Sequence, residues 1–383
     1  MSKHIRLAAV GDIMLGEYAS LGFGVRTQAR RLGWQWPFEK MISHLAQADL
    51  VVGNLEAALA EHGQRWFDYN SVIFRGDPSA ASALATAGFR AISLANNHIL
   101  QHGREVFLET VELIRKAGIS PVGLCDKKGG SLLEVRELCG QRLGFLGYSL
   151  WPSEDHKEDN DVFPMLRGRE EVILDNIATH TNRVDHLIVC IHWGYEFVHH
   201  PSEDQIELGH AMIEAGARCV LGHHPHVLQG IEKWNNGLIA YSLGNFIFDM
   251  NELTCCDSIV LEIALAPGQV EDYIIHPIQI GVDFRPVPAV ERDAEKIRER
   301  MREYRRRLVD VNFAPARMKK ACEEISINHK ITAQKMQNRF FIANAYRYSW
   351  RFILLKLFYK IKNVLLLRYR RKQYKHDISY KNH

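Results

Sequence analysis

Short apolar segments that run directly into polar residues constrain the fold of this chain more than any other feature. The segments predicted to be strands are Ile5–Val10, Leu50–Val52, Ala91–Leu94, Leu187–Ile191, Cys219–Leu221 and Leu238–Ser242. The amphipathic segments between them that are predicted to be helices include Pro37–Ala46, Pro78–Ala87 and Arg104–Ala117. Because strands and helices alternate along the chain, the sequence predicts an α/β fold with a largely parallel sheet.

The later part of the chain extends this pattern and then departs from it. Leu143–Tyr148 and Ile259–Ala266 are two further predicted strands, and a helix is expected to start after Ser202, a typical N-cap residue, and to end at Gly216. From Glu291 to Val309 the chain is rich in Arg, Glu and Lys and is predicted to form a charged helix. We therefore predict a main domain over residues 1–288 and a helical extension over residues 289–383.

The charge of the chain is concentrated at its end. The 383 residues carry a formal net charge of +3, but the stretch from Ser326 onwards has 14 Lys/Arg and one acidic residue, a net charge of +13. The preceding part is therefore acidic, with a net charge of −10. A basic end on an acidic body indicates an anionic partner, although a simply solvated or disordered end is the alternative.

Within the extension, Phe340–Tyr374 mixes aromatic, aliphatic and basic residues. At helical spacing one broad apolar face collects Ile353, Leu354, Leu357, Phe358, Ile361, Val364 and Leu365. Such a basic amphipathic helix fits an anionic membrane surface, but docking on the chain's own domain, on a partner subunit or on a synthase complex stays equally open. Nucleic-acid binding is less favoured because the apolar face is too large for a solvated arm.

The compartment is predicted from cysteine use and from the apolar runs. The seven cysteines form no C-x-x-C pair, which favours a reducing environment over a disulfide framework. Met1–Val10 does not have the features of a signal peptide, and no uninterrupted apolar run reaches the ~18 residues of a spanning helix. We expect a cytoplasmic protein or one attached peripherally to the inner face of the membrane.

The polar residues that follow the predicted strands are of the types that bind metal ions. They are Asp12, Asn54, Glu56, Asn97, His98, His192, Glu196, His223, His224 and His226. Taken singly, each has an ordinary explanation as a cap, a turn residue or a hydrogen-bonded histidine. Because sites form where the carboxyl ends of parallel strands emerge, the whole set instead predicts one shared site. Its oxygen and imidazole ligands suit Zn, Mn or Fe.

The ordered motifs of the chain resemble those of the CapA family of capsule and poly-γ-glutamate biosynthesis proteins. The motifs are Gly11-Asp12-Ile13-Met14-Leu15-Gly16, Asn54-Leu55-Glu56, Leu94-Ala95-Asn96-Asn97-His98, His192-Trp193-Gly194-x-Glu196, Gly222-His223-His224-Pro225-His226-Val227 and Tyr241-Ser242-Leu243-Gly244-Asn245-Phe246. That family is in turn similar to the calcineurin-like metallophosphoesterases. The resemblance implies a four-layer αββα sandwich with two divalent metal ions held between its loops.

The resemblance also implies a role for each matching residue. Asp12 and His226 would bind the first metal, Glu56 would bridge, and Asn97, His192 and His224 would hold the second. His98 would be the catalytic acid beside the substrate. Substrate-binding or supporting roles would fall to Asn54, Arg75, Glu196 and His223.

Two positions depart from the metallophosphoesterase pattern. Met14 stands where a second metal-binding histidine is usual, and Gln101 stands where an aspartate often follows the catalytic histidine. The resemblance implies either a dinuclear metal-dependent hydrolase acting on an anionic substrate, a phosphoester or polyglutamate, or a non-hydrolytic accessory protein that binds or exports poly-γ-glutamate. An accessory role tolerates Met14 and Gln101 more readily than rapid hydrolysis does.

Overall fold

The structure, a computed structural model, describes residues 4–17, 24–63, 74–126, 129–151, 169–250 and 253–343, with isolated positions as far as residue 358. Its strands, in chain order, are β1 (Ile5–Ile13), β2 (Leu50–Leu55), β3 (Ala58–Leu59), β4 (Arg75–Gly76), β5 (Phe89–Ser93), β6 (Ser120–Val122), β7 (Glu134–Leu138), β8 (Gln141–Ser149), β9 (His186–His192), β10 (Cys219–His223), β11 (Ile231–Trp234), β12 (Gly237–Ala240), β13 (Asn245–Ile247), β14 (Asp257–Ala266), β15 (Gln269–Ile280) and β16 (Pro286–Pro288). Its α-helices are α1 (Val25–Leu32), α2 (Ile42–Leu45), α3 (Ala80–Thr86), α4 (Arg104–Lys116), α5 (Glu170–His180), α6 (Glu203–Glu214), α7 (Glu291–Val309), α8 (Ala314–Arg317) and α9 (Lys319–Ala343).

Two sheets organise the described part of the chain. The first has the order β16-β15-β14-β1-β2-β5-β6, with β13 pairing β1 off this path. The second has the order β11-β12-β10-β9-β8-β7. Strands β1, β2, β5 and β6 run parallel, as do β8, β9, β10 and β12. The antiparallel pairs are β1–β14, β14–β15, β15–β16, β7–β8 and β11–β12. Parallel strands place their carboxyl ends at one edge of each sheet.

The layers follow from where the apolar residues lie. One buried cluster joins β1 residues such as Leu7 to β8 and β9 residues such as Phe145 and Ile188, so the two sheets pack face to face. A second cluster packs α1–α4 on the outer face of the first sheet, and a third packs α5 and α6 on the outer face of the second. The chain is therefore a four-layer αββα sandwich, which confirms the predicted fold class.

Most of the predicted elements are confirmed with small shifts at their ends. Ser202 is the N-cap of α6, where its backbone N–H donates to Gln205 Oε1 at 3.0 Å. The charged helix is α7, with the predicted bounds. The helix predicted over Pro37–Ala46 is wrong for its first part, where consecutive turns precede the four residues of α2. Those turns bury Phe38 and Met41 without a helix, a local solution that apolar spacing alone does not distinguish.

The beginning of the C-terminal extension is integrated with the sandwich. Ile297, Met301 and Tyr304, spaced at helical intervals on α7, belong to the cluster between the two sheets. The proposed boundary at residue 288 stays a prediction. Most of the amphipathic stretch predicted over Phe340–Tyr374 lies outside the described residues. In the described part of the chain, no helix combines the length and apolar character needed to cross a membrane.

Candidate metal centre

Strand register brings the predicted site residues together. In β1, Asp12 lies opposite Asn54 of β2 on one side and Asn245 of β13 on the other. In the second sheet, His192 of β9 lies opposite His223 of β10. Because these positions, except Asn245 at the start of β13, are at the carboxyl ends of their strands, the polar residues that follow each strand face a common space between the sheets.

Two glycines in the motifs allow the backbones to approach closely at this edge. A Cβ on Gly11 would lie 2.0 Å from the Gly244 carbonyl oxygen, and a Cβ on Gly222 would lie 2.0 Å from the Tyr241 carbonyl oxygen. Any side chain at either position would therefore collide with backbone. The glycines before Asp12 and His223 serve the strand packing that positions the site.

Asp12, Glu56 and His192 form the first group of metal-type side chains, the strand-end cluster. One ligand atom from each lies within 4.8 Å of those of the other two, and all three residues are buried. His192 Nε2 is 3.3 Å from Glu56 Oε1 and donates to Asn97 Oδ1 at 2.9 Å. The sequence separation of these residues is large, so only the fold brings them together.

An asparagine at the centre of the strand-end cluster links its members. Asn54 Nδ2 lies 2.9 Å from Asp12 Oδ1, 3.4 Å from Glu56 Oε1 and 3.4 Å from His192 Nδ1. Asn96 Nδ2 in turn donates to Asn54 Oδ1 at 3.2 Å and fixes the orientation of that amide. Asn54 therefore contacts three candidate ligands, and its supporting role stays a prediction.

Glu196, His224 and His226 form the second group, the loop cluster, and again one ligand atom from each lies within 4.8 Å of the others. Both histidines have positive φ angles, 99° for His224 and 59° for His226. Such backbone costs about 1–3 kcal/mol for each non-glycine residue and is concentrated at functional sites. The backbone of the loop between β10 and β11 is therefore strained at these two histidines, and this conformation directs both imidazoles into the site.

The two clusters are in direct contact. Asp12 Oδ2 accepts a hydrogen bond from the His224 backbone N–H at 3.2 Å and lies 3.5 Å from His226 Nδ1. The rings of His192 and His224 have centroids 4.6 Å apart. Asp12 of the strand-end cluster thus contacts two residues of the loop cluster, His224 and His226.

The charges of the site shift its pKa values strongly. Burial lowers the pKa of His192 well below its usual value and that of His224 to about 3, so both rings are neutral at pH 7. Burial would also lower the pKa of His226, but the charges of Glu56, Asp12 and Glu196 outweigh it and raise that pKa to about 10. Burial would raise the pKa of Asp12, yet the hydrogen bond and charge of His226, together with the charge of His223, hold it below its usual value.

The donor set fits divalent cations. Three buried or nearly buried carboxylates share the site with the neutral rings of His192 and His224 and with one protonated ring, that of His226, so negative charge is in excess and is costly unless further positive charge is present. Among the described residues His224 Nδ1 is buried and has no hydrogen-bond partner, as expected for a nitrogen held for a metal. The geometric clusters group Glu196 with His224 and His226, whereas the resemblance placed His224 with Asn97 and His192.

The other predicted site residues lie around these clusters. His98 Nε2 is 3.3 Å from Asn97 Nδ2, and its ring packs on Phe74 with centroids 4.7 Å apart. His223 Nε2 donates to the Val10 carbonyl at 3.2 Å and so braces β1 against β10. Arg75, in β4, donates to the Ala60 carbonyl at 3.0 Å. Their predicted roles stay predictions.

The two departures from the metallophosphoesterase pattern have structural roles. Met14 is fully buried in an apolar cluster with Phe74 and Phe248. The buried Gln101 side chain accepts a hydrogen bond from the Phe74 backbone N–H at 3.0 Å through its Oε1. Both positions therefore stabilise Phe74, the ring against which His98 packs.

Sequence reasoning assigned no role to three residues of the site. Asn245 Oδ1 accepts from His226 Nδ1 at 3.0 Å, and the Trp151 ring packs on His224 with centroids 5.0 Å apart. Lys330 Nζ is 2.8 Å from Glu196 Oε2. The motif around Asn245 indicated a site, since it follows a predicted strand, but Trp151 and Lys330 carry no local pattern.

Fold and site together define an αββα protein with a buried cluster of carboxylate and imidazole ligands at the carboxyl ends of its strands. The profile of the family described as "Bacterial capsule synthesis protein PGA_cap" matches residues 6–250. The chain belongs to this family.

Two relatives named CapA agree with this assignment. The chain is 27% identical to the "Capsule biosynthesis protein CapA" of Bacillus anthracis over 88% of its own length and 81% of that protein. It is 28% identical to the "PGA biosynthesis protein CapA" of Bacillus subtilis (strain 168) over 80% of its length and 78% of that protein. Among solved structures, a hypothetical protein from Thermus thermophilus aligns with a TM-score of 0.47 and 15% identity, over 72% of this chain and 99% of that one.

Proposed function

We propose that this chain is a metal-dependent hydrolase of capsule or poly-γ-glutamate biosynthesis that cleaves a phosphoester or another bond of an anionic polymer. The observation that carries the proposal is the contact between the strand-end cluster and the loop cluster through Asp12. Two adjacent ligand groups of this composition support two cations, and paired cations are a recurrent solution for hydrolysis at anionic centres.

The residues that would hold the ions are those of the strand-end cluster and the loop cluster. Bound there, divalent cations such as Mn²⁺, Zn²⁺ or Fe²⁺ would supply Lewis-acid polarisation and stabilise the negative charge that develops during hydrolysis. In the metal-free chain the Nε2 proton of His192 lies between Glu56 and Asn97. His226, whose pKa is raised to about 10 by the charges of Glu56, Asp12 and Glu196, would lose a proton on binding a cation.

The remaining work falls to side chains at the edge of the strand-end cluster. His98 is buried beside Asn97, and Phe74 fixes the plane of its ring. A histidine held in this way is suited to give a proton to a leaving oxygen. Arg75, whose guanidinium is largely buried, is the candidate for a carboxylate or phosphate of the substrate.

Hydrolysis is tested with the purified chain, Mn²⁺ and an aryl phosphate. We expect turnover that requires Mn²⁺ and disappears in Asp12→Ala and His224→Ala. The matched control is His276→Ala, which removes a partly exposed histidine of β15 that is bonded to Glu262. Turnover that survives in Asp12→Ala would contradict the proposal.

A non-hydrolytic accessory role is the second candidate, and the packing of Met14 and Gln101 favours it. The Met14 side chain packs in an apolar cluster with Phe74, and the Gln101 side chain accepts a hydrogen bond from the Phe74 backbone N–H. The accessory role predicts that the chain binds two Mn²⁺ ions and short poly-γ-glutamate without cleaving either polymer or aryl phosphate. Equilibrium dialysis with labelled polyglutamate, followed by product analysis, separates the two candidates.

We also propose that the basic extension contacts an anionic membrane surface. There the chain would meet a membrane-bound synthase complex. Among the described residues, exposed large apolar side chains recur at helical spacing at Ile342, Tyr346, Trp350, Leu354 and Phe358. The net charge of +13 from Ser326 onwards complements anionic lipid. Co-sedimentation of the full chain with phosphatidylglycerol vesicles is expected, and equal binding to neutral vesicles would contradict the electrostatic part of the proposal.

A further inference from the structure

Helix α9, which begins the basic extension, lies against the loop cluster. Lys330 Nζ is 2.8 Å from Glu196 Oε2, and the neighbouring His329 stacks on Phe197 with ring centroids 4.3 Å apart and planes inclined by 15°. These contacts fall on consecutive residues of the loop that follows β9. The extension therefore reaches the candidate metal centre directly, although it is far from it in sequence.

A further contact on the same helix widens this interface. The Tyr195 hydroxyl is 3.4 Å from Glu323 Oε1, nearly two helical turns before Lys330. Residues 195, 196 and 197 thus each contact α9. The helix lies along the loop that carries Glu196 rather than touching it at one point.

Glu196 connects the loop cluster with α9. It is one of the three members of the loop cluster and the ion-pair partner of Lys330. Its carboxylate is therefore neutralised in part by an ammonium group from α9.

A lysine ammonium and a divalent cation compete for such a carboxylate. Both are positive, and in a site of low polarity their mutual repulsion is strong at short distance. We propose that α9 is a built-in competitor of the loop cluster: Lys330 occupies Glu196 in the metal-free chain, and a divalent cation bound by Glu196, His224 and His226 displaces the lysine and loosens α9. The inference rests on the metal centre of the proposed function.

The attachment of α9 fits a helix that can be released. The Lys330 side chain is 54% exposed, and Ile325, Ile327 and Ile331 on the same helix are exposed rather than buried. Elements held by few buried apolar contacts open with the smallest free energies. Because the basic extension continues from α9, occupancy of the metal centre would change how that extension is presented.

The coupling has a reciprocal consequence that can be measured without any enzymatic activity. If a bound cation weakens the docking of α9 by some factor, then docked α9 weakens cation binding by the same factor. A variant that loosens α9 should therefore bind the cation more tightly. Lys330→Met removes the competing charge and keeps most of the side-chain volume. Lys320→Met is the matched control, since Lys320 is an exposed lysine near the start of the same helix.

The experiment titrates Mn²⁺ into the full-length chain by calorimetry and follows α9 by hydrogen–deuterium exchange. We expect Lys330→Met to bind Mn²⁺ roughly tenfold more tightly, within the usual range of coupling between two sites. The control should match the wild type, and Mn²⁺ should accelerate exchange in the wild-type segment 319–332.

Two results overturn the inference and differ in what else they affect. If the wild type binds two Mn²⁺ ions, Lys330→Met has the same affinity and exchange in α9 is unchanged by Mn²⁺, the competition is refuted and the metal centre stands. If neither the wild type nor Lys330→Met binds Mn²⁺, the metal centre itself is refuted, and the inference with it.

Discussion

The two halves of the candidate metal centre are built in different ways. The strand-end cluster comes from the last residues of regular strands and is braced by Asn54, which reaches all three of its members. The loop cluster depends on two histidines with positive φ and on a glutamate paired with a lysine of α9. The strand-end cluster is fixed by sheet geometry. The loop cluster has strained backbone at its two histidines, and its glutamate already pairs with a lysine that a cation would have to displace.

The difference between them indicates an order of loading. A preorganised group of ligands binds an ion without first moving, while a group that must release an ion pair loses part of its binding energy. We therefore expect the strand-end cluster to bind its cation more tightly than the loop cluster. Replacing residues of either half tests this expectation.

The largest effect is expected from Asp12→Asn, because Asp12 contacts both halves. The change removes one buried charge while keeping the size of the side chain. We expect the Mn²⁺ affinity of both sites to fall by more than ~100-fold, since changes outside the ligands alone typically cost 10–100-fold. Metal content after dialysis, measured by plasma mass spectrometry, provides the check. Retention of two ions by a folded variant would show that Asp12 is not shared.

A smaller and one-sided effect is expected from His224→Ala. His224 belongs to the loop cluster and is neutral in the metal-free chain, so its removal leaves the strand-end cluster intact. The variant should keep one tightly bound Mn²⁺ per chain and lose the weaker one. Calorimetry that shows loss of the tighter ion instead would reverse the comparison between the two halves.

Asn245→Ala should weaken metal binding at the loop cluster alone, and by less than His224→Ala does. Asn245 Oδ1 accepts from His226 Nδ1 at 3.0 Å and orients that ring. Loss of such a partner typically lowers metal affinity by about 10–100-fold. Competition with a fluorescent chelator measures the change. An affinity within twofold of the wild type would show that the loop, rather than Asn245, orients His226.

The smallest effect concerns the pH dependence of stability in the metal-free chain. The pKa of His224 lies at about 3 in the fold, against 6.5 for an unperturbed histidine, so the free energy of unfolding decreases as the pH falls from 6.5 towards 3. The pKa of His226 lies at about 10, so its contribution is fully present below pH 6.5 and is lost as the pH rises through 10.

These two histidines therefore favour a maximum of metal-free stability near pH 6.5. Above it we expect a loss of about 1 kcal/mol over the first pH unit, since one pKa unit corresponds to ~1.4 kcal/mol. Urea unfolding of the wild type and His226→Gln at pH 6.5 and 7.5 is the measurement. An equal pH dependence in both proteins would show that His226 is not responsible.

The contrast between the halves also explains how far the sequence could predict the site. Asp12, Glu56 and His192 each follow or end an apolar strand, so the rule that parallel strands direct their carboxyl ends to one edge was sufficient to group them. For the loop cluster, His-x-His was visible at residues 224–226, but the positive φ angles that direct both rings inward were not. Backbone strain depends on the surrounding structure and leaves no periodic pattern.

The extension shows the other limit. The sequence predicted the charged helix α7 with its bounds, because a run rich in the helix formers Arg, Glu and Lys is a local property. It left open whether the basic helix that follows would meet a membrane, a partner or its own domain. The ion pair of Lys330 with Glu196 shows that α9 contacts the sandwich ahead of Phe340–Tyr374, and the surface that this basic stretch meets stays a prediction.

By itself the sequence determined an α/β fold and the set of polar residues at the strand ends, since these follow from local spacing, and the resemblance of its ordered motifs implied the family and the αββα class. The tertiary structure alone decided which of those residues share a cluster, that Asn54 and Asn245 contact them, and that α9 places a lysine on Glu196. The physical reason is the sequence distance over which each interaction acts. Periodicity and turn residues act over a few positions, whereas a metal site is a balance of burial and charge between residues far apart along the chain.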